Sequence, residues 1–219
     1  MFYNNAEEFK QANGYTIDST WYPRVTKILE VKSKSGLENF FKEMDSYASV
    51  EEVKNRSALE GSMVHGAIQN LLTGEAADIP SEIMPAVSAF QYFNQTRGIV
   101  FYKEYVERRI RSMRHRYAGT VDALATIDGK FGVLDIKTST GFYPEYNLQT
   151  AAYVLALQEF AMHRELALSR DIETRWILRI NQHRLCVACG ACLREKGGRT
   201  KIREKKNGAS CESEQMHQW

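Results

Sequence analysis

Two aspartates and one lysine surround a tight turn in the middle of the chain. Asp122 precedes the Asp-Gly pair at 128–129 by six residues, and Asp135 follows that pair by six residues, two positions before Lys137. An Asp-Gly pair between apolar, β-branched segments predicts a two-residue hairpin turn. Such a hairpin places the two aspartates opposite each other, and strand alternation places Asp135 and Lys137 on one face. Two carboxylates beside one cation are suited to binding Mg²⁺ or Mn²⁺.

The same residues also have a purely structural interpretation. The aspartates would then form a polar cross-strand pair, although like charges placed opposite each other destabilise a hairpin unless a cation lies between them. Lys137 would be solvated, or it would neutralise Asp135 as an ion pair. Gln149 and Tyr153 are four residues apart, so they are neighbours on one face of a predicted helix and would form an ordinary helix contact.

At these positions the chain resembles the PD-(D/E)XK nuclease superfamily, in particular its RecB-like and phage-exonuclease-like members. The resemblance covers about residues 21–179, and its matching pieces are His65 in the segment 61–65, Asp122, the triplet Asp135-Ile136-Lys137, and Gln149 with Tyr153. It implies a restriction-endonuclease-like α/β core made of a helix, a three-stranded antiparallel meander, a helix and a strand.

The resemblance also implies roles for these residues. The metal ligands would be the side chains of His65, Asp122 and Asp135 and the carbonyl of Ile136. Lys137 would position the attacking water or stabilise charge in the transition state. The other two matching residues would orient that lysine or contact the substrate backbone: Gln149 and Tyr153. Glu107 stands where relatives often have a glutamate, and it is a weaker candidate for a second-metal ligand or an outer base.

The periodicity of apolar residues and the positions of capping residues and glycines predict the elements of this core. A helix is expected over 57–73, capped by Ser57 with Glu60 and ended by Gly74, and a second helix over about 81–96. Strands are expected over about 99–112, 117–127, 131–138 and 174–180, with a helix over about 145–163. The chain then divides into an irregular lead-in over 1–55 with a short helical stretch near 37–44, a nuclease core over 56–181 and a cysteine-rich tail over 182–219.

Composition is that of a globular protein, with 43% apolar and 26% charged residues among 219. The net charge of +2 is small, so any nucleic-acid surface must come from local clusters of basic residues. Five arginines lie within nine positions just before the Asp122 segment. Strand alternation would place several of them on an exposed face near the catalytic edge, with an ordinary solvated charge run as the alternative; the candidate contacts are Arg109, Arg111 and Arg116.

The start of the chain lacks a basic region followed by an apolar stretch, and no apolar run approaches the ~18 residues that a membrane span needs. We therefore expect a cytoplasmic, reducing location and no membrane partner. Cysteines crowded at one end then indicate a metal before disulfides.

The tail has the spacing of a zinc knuckle at Cys186 and Cys189, followed by Cys192, Cys211 and His217. With Cys186, Cys189 and Cys211 as ligands, either Cys192 or His217 would complete a zinc site. A hairpin turn is expected at 196–199, and Arg199 is a candidate for phosphate contact. An iron–sulfur cluster and free thiols are the alternatives to zinc.

Together these features predict a Mg²⁺-dependent DNA nuclease, exonuclease-like, acting in recombination, repair or phage DNA processing. Single- or double-stranded DNA would be the partner, and a helicase or a single-strand annealing protein is compatible with the motifs. A nucleic-acid-binding module that has the fold without catalysis, or an interaction protein dominated by its cysteine tail, are the alternatives.

Overall fold

The computed structural model describes residues 3–31, 41, 44, 46–76, 78–180, 183–204, 211 and 217–218. It is a mixed α/β structure with several sheets and a cysteine cluster near the C-terminus. The helices are α1 Ala6–Asn13, α2 Val25–Leu29, α3 Tyr47–Thr73, α4 Met84–Arg97, α5 Pro144–Leu157 and α6 Phe160–Glu165. The strands are β1 Gly14–Ile17, β2 Thr20–Pro23, β3 Val100–Phe101, β4 Arg108–Ser112, β5 Tyr117–Val121, β6 Ala123–Ile127, β7 Lys130–Lys137, β8 Thr174–Arg179, β9 Arg184–Leu185, β10 Cys192–Lys196 and β11 Arg199–Arg203.

A four-stranded sheet in the order β3-β6-β7-β8 forms the centre of the molecule. β6 and β7 make the expected antiparallel hairpin, and φ is positive at both turn residues, Asp128 (50°) and Gly129 (78°), as a type I′ turn requires. β8 runs parallel to β7, after the chain has passed through α5 and α6. The hairpin prediction is therefore confirmed.

The two strands predicted before the Asp-Gly turn, over 99–112 and 117–127, are each interrupted. The segment 99–112 divides into β3, a 3₁₀ turn at Lys103–Tyr105 and β4, because β3 pairs with β6 whereas β4 pairs with β5 in a separate two-stranded sheet. The segment 117–127 bends at Asp122, between β5 and β6. The predicted three-stranded meander is thus built around one bent segment. Before Asp122, β5 pairs with β4; after Asp122, β6 pairs with β3 and β7.

Helices cover both faces of the central sheet. On one face, Leu124 and Val133 pack with Tyr153 and Leu157 of α5. On the other face, Ile136 packs with α3 and α4. Because side chains alternate along β7, Asp135 and Lys137 lie on the same face as Val133, toward α5. The strand order and this alternation together determine which helix can reach the acidic residues.

The helix boundaries differ from the predicted ones in two places. α3 begins at Tyr47, ten residues earlier than expected, because Ser46 caps it by accepting a hydrogen bond from the Ser49 N–H at 3.1 Å; Gly74 ends it with φ of 75°, as predicted. The helix expected over 145–163 is divided into α5 and α6. Glu159 takes an extended conformation between them, and its carboxylate accepts a hydrogen bond from the Met113 N–H at 2.8 Å.

Residues 3–31 have regular secondary structure, so the prediction of an irregular lead-in is wrong for this part of the chain. It contains α1, the β1–β2 hairpin and α2, and the Tyr15 hydroxyl lies 3.2 Å from the Thr120 hydroxyl of β5. The predicted boundary at residue 55 falls inside α3. The helical stretch expected at 37–44 lies, apart from Phe41 and Met44, outside the described residues.

The C-terminal strands form a small antiparallel sheet in the order β11-β10-β9. Its hairpin turns at Gly197 and Gly198, both with positive φ, as the sequence predicts. No helix in the described part of the chain combines the length and the apolar character that crossing a bilayer requires.

Candidate functional site

A cleft of about 640 Å³ opens where α3, the Asp122 bend, the end of β7 and the β10–β11 hairpin meet. It is lined mostly by polar and charged side chains, chief among them His65, Gln69, Glu107, Asp122, Lys137, Tyr146 and Lys196. A glycine lets the helix wall approach closely, because a Cβ at Gly61 would lie 2.9 Å from the Thr138 hydroxyl at the end of β7. Residues far apart in the sequence therefore share one opening.

The two aspartates are opposite each other, as the sequence predicts. The β6–β7 register pairs Ala123 with Leu134, so the next pair outward is Asp122 with Asp135. Asp122 Oδ2 accepts a hydrogen bond from the Ile136 N–H at 2.5 Å. Ile136 thus lies beside Asp122, and its side chain is buried against α3 and α4. The hairpin places two carboxylates side by side at the edge of the cleft.

Asp135 and Lys137 lie on one face and are in contact. Asp135 is 1% exposed, and its Oδ2 lies 2.6 Å from Lys137 Nζ. Its other oxygen, Oδ1, accepts a hydrogen bond from Gln149 Nε2 at 3.1 Å. Lys137 Nζ also lies 5.1 Å from the centre of the Tyr146 ring. The lysine is therefore held in one orientation at the cleft wall by a carboxylate and an aromatic face.

Gln149 and Tyr153 make a hydrogen-bonded pair behind Asp135. Gln149 Nε2 lies 2.9 Å from the Tyr153 hydroxyl, and burial raises the pKa of that phenol, which therefore stays protonated. The tyrosine ring packs on β5 at Gly119, where any Cβ would overlap it. Sequence reasoning missed Tyr146, although it lies three residues before Gln149 on the same helix face.

A second group of potential metal ligands faces the cleft. The ligand atoms of His65, Glu107 and Asp122 all lie within 4.8 Å of one another, and His65 Nδ1 is 3.8 Å from Asp122 Oδ1. Asp135 is not in this group, and its carboxylate contacts Lys137 and Gln149 instead. Of the predicted ligand side chains the structure thus brings His65 and Asp122 together, and Glu107, the weaker candidate, joins them.

Glu107 has an unusual backbone conformation. Its φ is 50°, in the left-handed region that costs a non-glycine residue about 1–3 kcal/mol. Its N–H donates to the Asp122 carbonyl at 3.0 Å, which fixes the glutamate beside the bend. No local sequence pattern indicates this conformation. The conformation places the Glu107 carboxylate in the cleft, next to that of Asp122.

The electrostatics of the cleft favour an added cation. Burial, followed by the nearby charge of Asp122, raises the pKa of Glu107 to about 7. Burial raises the pKa of both Asp122 and Asp135 well above the ordinary range, and Lys137 offsets only part of this effect. Burial and the charge of Lys137 lower the pKa of His65, which favours its neutral, metal-binding form. Three carboxylates, those of Glu107, Asp122 and Asp135, lie near one another, Lys137 is paired with one of them, and a divalent ion would offset the remaining negative charge.

The arginines predicted as nucleic-acid contacts do not line the cleft. Arg111 forms ion pairs with Asp18 and Glu165, each at 2.9 Å, and its side chain is only 15% exposed. The expectation that strand alternation exposes Arg111 is therefore wrong. Two other candidates are exposed but lie against rings of the N-terminal hairpin: Arg109 over Tyr15 at 4.4 Å and Arg116 over Tyr22 at 5.5 Å. Arg199, in β11, is also absent from the cleft lining.

The tail contains a compact cluster of sulfur and nitrogen ligands. Four of its atoms lie within 4.8 Å of one another, those of Cys186, Cys189, Cys211 and His217. Cys186 Sγ is 3.9 Å from Cys211 Sγ, and Cys189 Sγ is 3.3 Å from His217 Nδ1. Tetrahedral Zn²⁺ with bonds of about 2.0–2.3 Å separates its ligands by roughly 3.5–3.8 Å, so these side chains fit the ion.

Cys192 is not part of the cluster. It begins β10, where it pairs with Leu185 of β9 and Arg203 of β11. Of the two alternatives for the fourth ligand, the structure therefore brings His217 and not Cys192 to the other three cysteines. The cluster is compatible with metal binding and does not by itself identify the metal.

Neither a scan against models of protein families nor a search of the curated proteins finds a match for this chain. The functional conclusion therefore depends on the chemistry of the cleft and of the cysteine cluster.

Proposed function

We propose that this protein is a Mg²⁺- or Mn²⁺-dependent deoxyribonuclease with the restriction-endonuclease-like core of the PD-(D/E)XK superfamily. Its place would be in recombination, repair or phage DNA processing, with an exonuclease-like action. The observation that carries the proposal is the pairing of Asp122 with Asp135 across one hairpin, with Lys137 held 2.6 Å from Asp135 at the wall of an open polar cleft.

The order of the elements supports the same assignment. α3 is followed by the β4–β5 and β6–β7 hairpins, then by α5, and then by β8 parallel to β7. This order resembles the helix, meander, helix and strand of that core, with α4 and β3 inserted after α3, a bend at Asp122 and α6 inserted before β8. The acidic residues and Lys137 lie on the central hairpin, and Gln149 and Tyr153 lie on the following helix, as the resemblance implies.

The metal-binding part of the proposal assigns His65, Glu107 and Asp122 as ligands, with Asp135 as the neighbouring carboxylate. A bound divalent ion would supply an activated water and would polarise the phosphoryl oxygen. The carboxylate oxygens of Glu107 and Asp122 suit Mg²⁺ or Mn²⁺. Burial is the main cause of the raised carboxylate pKa values, and a bound divalent cation would favour the ionised forms.

Lys137 would act on the scissile phosphate. The Asp135 carboxylate and the Tyr146 ring orient its ammonium group, so little reorganisation is needed when negative charge develops on the substrate. Gln149 and Tyr153 keep Asp135 in place by hydrogen bonding. They are positioning residues in this scheme because they act through Asp135.

A metal-titrated cleavage assay tests the proposal. Linear single-stranded DNA, linear duplex DNA, circular DNA and RNA would each be incubated with the full chain and increasing Mg²⁺ or Mn²⁺, with Asp135→Asn as the inactive control. We expect metal-dependent loss of linear DNA in the wild type alone. Binding without cleavage at every metal concentration would instead favour the inactive nucleic-acid-binding module.

A further inference from the structure

The β10–β11 hairpin of the tail contacts the helix wall of the cleft. The Gly197 N–H donates to both carboxylate oxygens of Glu60 on α3, each at 3.1 Å. The turn lies so close to α3 that a Cβ at Gly197 would overlap Ser57 and the carbonyl of Val53. The cysteine-bearing segment is therefore docked onto the same helix that carries His65.

The same hairpin also contacts the opposite wall, directly after Lys137. Arg194 donates to the carbonyls of Ser139 and Thr140, each at 3.1 Å, and Lys196 Nζ donates to the Thr138 carbonyl at 2.5 Å. Three consecutive carbonyls of the segment that leaves β7 are thus held by two cations of β10. The hairpin connects the two sides of the cleft and forms part of its boundary.

Two lysines face the cleft, and their surroundings differ. Lys137 is paired with the Asp135 carboxylate. Lys196 donates to a neutral carbonyl, and the Glu60 carboxylate, whose charge acts on Lys196, accepts from the Gly197 N–H. An ammonium group has three donors, and within the described part of the chain Lys196 makes one hydrogen bond. A half-buried cation with spare donors in a cleft is suited to binding an anion.

We propose that Lys196 binds a phosphate of the nucleic-acid backbone, and that the cysteine module thereby supplies a substrate-binding residue to the cleft. This inference rests on the proposed nuclease function. It also identifies what the tail contributes to that function: a second cation in the cleft lining, at the segment that follows Lys137. The Arg194 and Gly197 contacts determine where that cation lies.

The test compares three variants of the full chain in an Asp135→Asn background, which prevents cleavage. Lys196→Gln removes the charge but keeps a donor for the Thr138 carbonyl, Lys196→Arg keeps the charge, and Lys201→Ala removes a matched charge from an exposed position of the same hairpin. Fluorescence anisotropy would measure the affinity of each for a labelled oligonucleotide, single-stranded or annealed to its complement, over a range of salt concentrations.

We expect Lys196→Gln to weaken binding by about tenfold, the value of one charge-assisted hydrogen bond. The slope of log affinity against log salt should fall by about 0.7 for the single strand, since one phosphate contact is lost. Lys196→Arg should restore both values, and Lys201→Ala should change neither. A purely structural lysine would leave the salt slope unchanged.

Unchanged affinity and salt slope in Lys196→Gln would overturn the inference, and so would equal losses in Lys201→Ala. If the wild type still cleaves DNA, the nuclease assignment is unaffected by either result. Failure of the wild type to cleave any nucleic acid would instead contradict the proposed function. Melting temperature and bound zinc, measured for every variant, would show that the hairpin is still folded.

Discussion

The cleft and the cysteine cluster assemble their ligands in opposite ways. The cleft takes His65 from α3, Glu107 from a left-handed position before β4 and Asp122 from a bend between strands, so its geometry exists only when the whole core is folded. The cluster takes two cysteines only three residues apart, with a hairpin between them and the remaining ligands. Oxygen ligands select hard ions and thiolates select soft ones, so the two sites should bind different metals.

The two regions are nevertheless in contact. Arg194 and Lys196 belong to the strand that starts beside the cysteine cluster, and their hydrogen bonds end on the segment that follows Lys137. Changes in the cluster should therefore reach the cleft through substrate binding, whereas changes in the cleft should leave zinc content unaltered.

The largest effect is expected for Asp122→Asn. Loss of one anionic ligand should lower cleavage by about a thousandfold or more, equivalent to about 4 kcal/mol of transition-state stabilisation. Without Mg²⁺ or Mn²⁺ the variant should melt higher than the wild type, because a buried carboxylate beside Asp135 has become neutral. Steady-state cleavage and calorimetric melting would check the two parts, and wild-type turnover would remove Asp122 from the site.

Lys137→Ala should lower turnover by about a hundredfold and leave the affinity for Mn²⁺ nearly unchanged. A protonated lysine has no lone pair for a metal, so its contribution lies in the transition state. Titration calorimetry beside the cleavage assay separates the two quantities. Loss of Mn²⁺ binding along with turnover would show that Lys137 acts by holding the carboxylates in place.

Cys189→Ser should abolish zinc binding and lower the melting temperature, with Cys192→Ser as the matched control because Cys192 is outside the ligand cluster. The first variant should also bind oligonucleotides more weakly, since the hairpin that places Lys196 is destabilised. Elemental analysis and anisotropy measure both effects. Equal zinc loss in the two variants would restore Cys192 as a ligand, and iron with a brown colour would replace zinc by an iron–sulfur cluster.

The smallest effect concerns pH. Glu107, Asp122 and Asp135 have folded-state pKa values above their unfolded ones, so the folded protein binds their protons more tightly. The resulting stabilisation is present below about pH 4 and is lost as the pH rises through about 6–7. Without added Mg²⁺ or Mn²⁺, these groups should lower the melting temperature between pH 5 and 8, and Mn²⁺ should reverse the loss. An equally large fall in the melting temperature of Asp122→Asn would show that the Asp122 carboxylate does not cause it.

Local sequence was sufficient where one residue type controls the backbone. The Asp-Gly turn fixed the β6–β7 register and so the opposition of Asp122 and Asp135. Gly74 ended α3, and the Cys186–Cys189 spacing indicated the cluster. Each of these features depends on neighbours within a few positions, which is the range that periodicity and turn preference cover.

The remaining features depend on contacts between distant segments. Glu107 is left-handed because its N–H bonds to the Asp122 carbonyl, and Glu159 interrupts a helical pattern because its carboxylate accepts from the β4–β5 turn. Lys196 reaches a carbonyl 58 positions away. Strand alternation predicted that Arg111 is exposed, but its side chain forms ion pairs with two carboxylates from other parts of the chain. No local sequence pattern predicts these hydrogen bonds and ion pairs.

Cleavage should require a hard divalent ion at the carboxylate cleft, and the thiolate-bound ion of the tail should not substitute for it. The most direct measurement is DNA cleavage by the purified full chain as Mg²⁺ or Mn²⁺ is removed and restored, with zinc counted in the same samples. We predict about one zinc per chain throughout, no cleavage without the added ion, and full recovery when it returns. Cleavage that persists without Mg²⁺ and Mn²⁺, or that follows zinc content instead, would contradict this requirement.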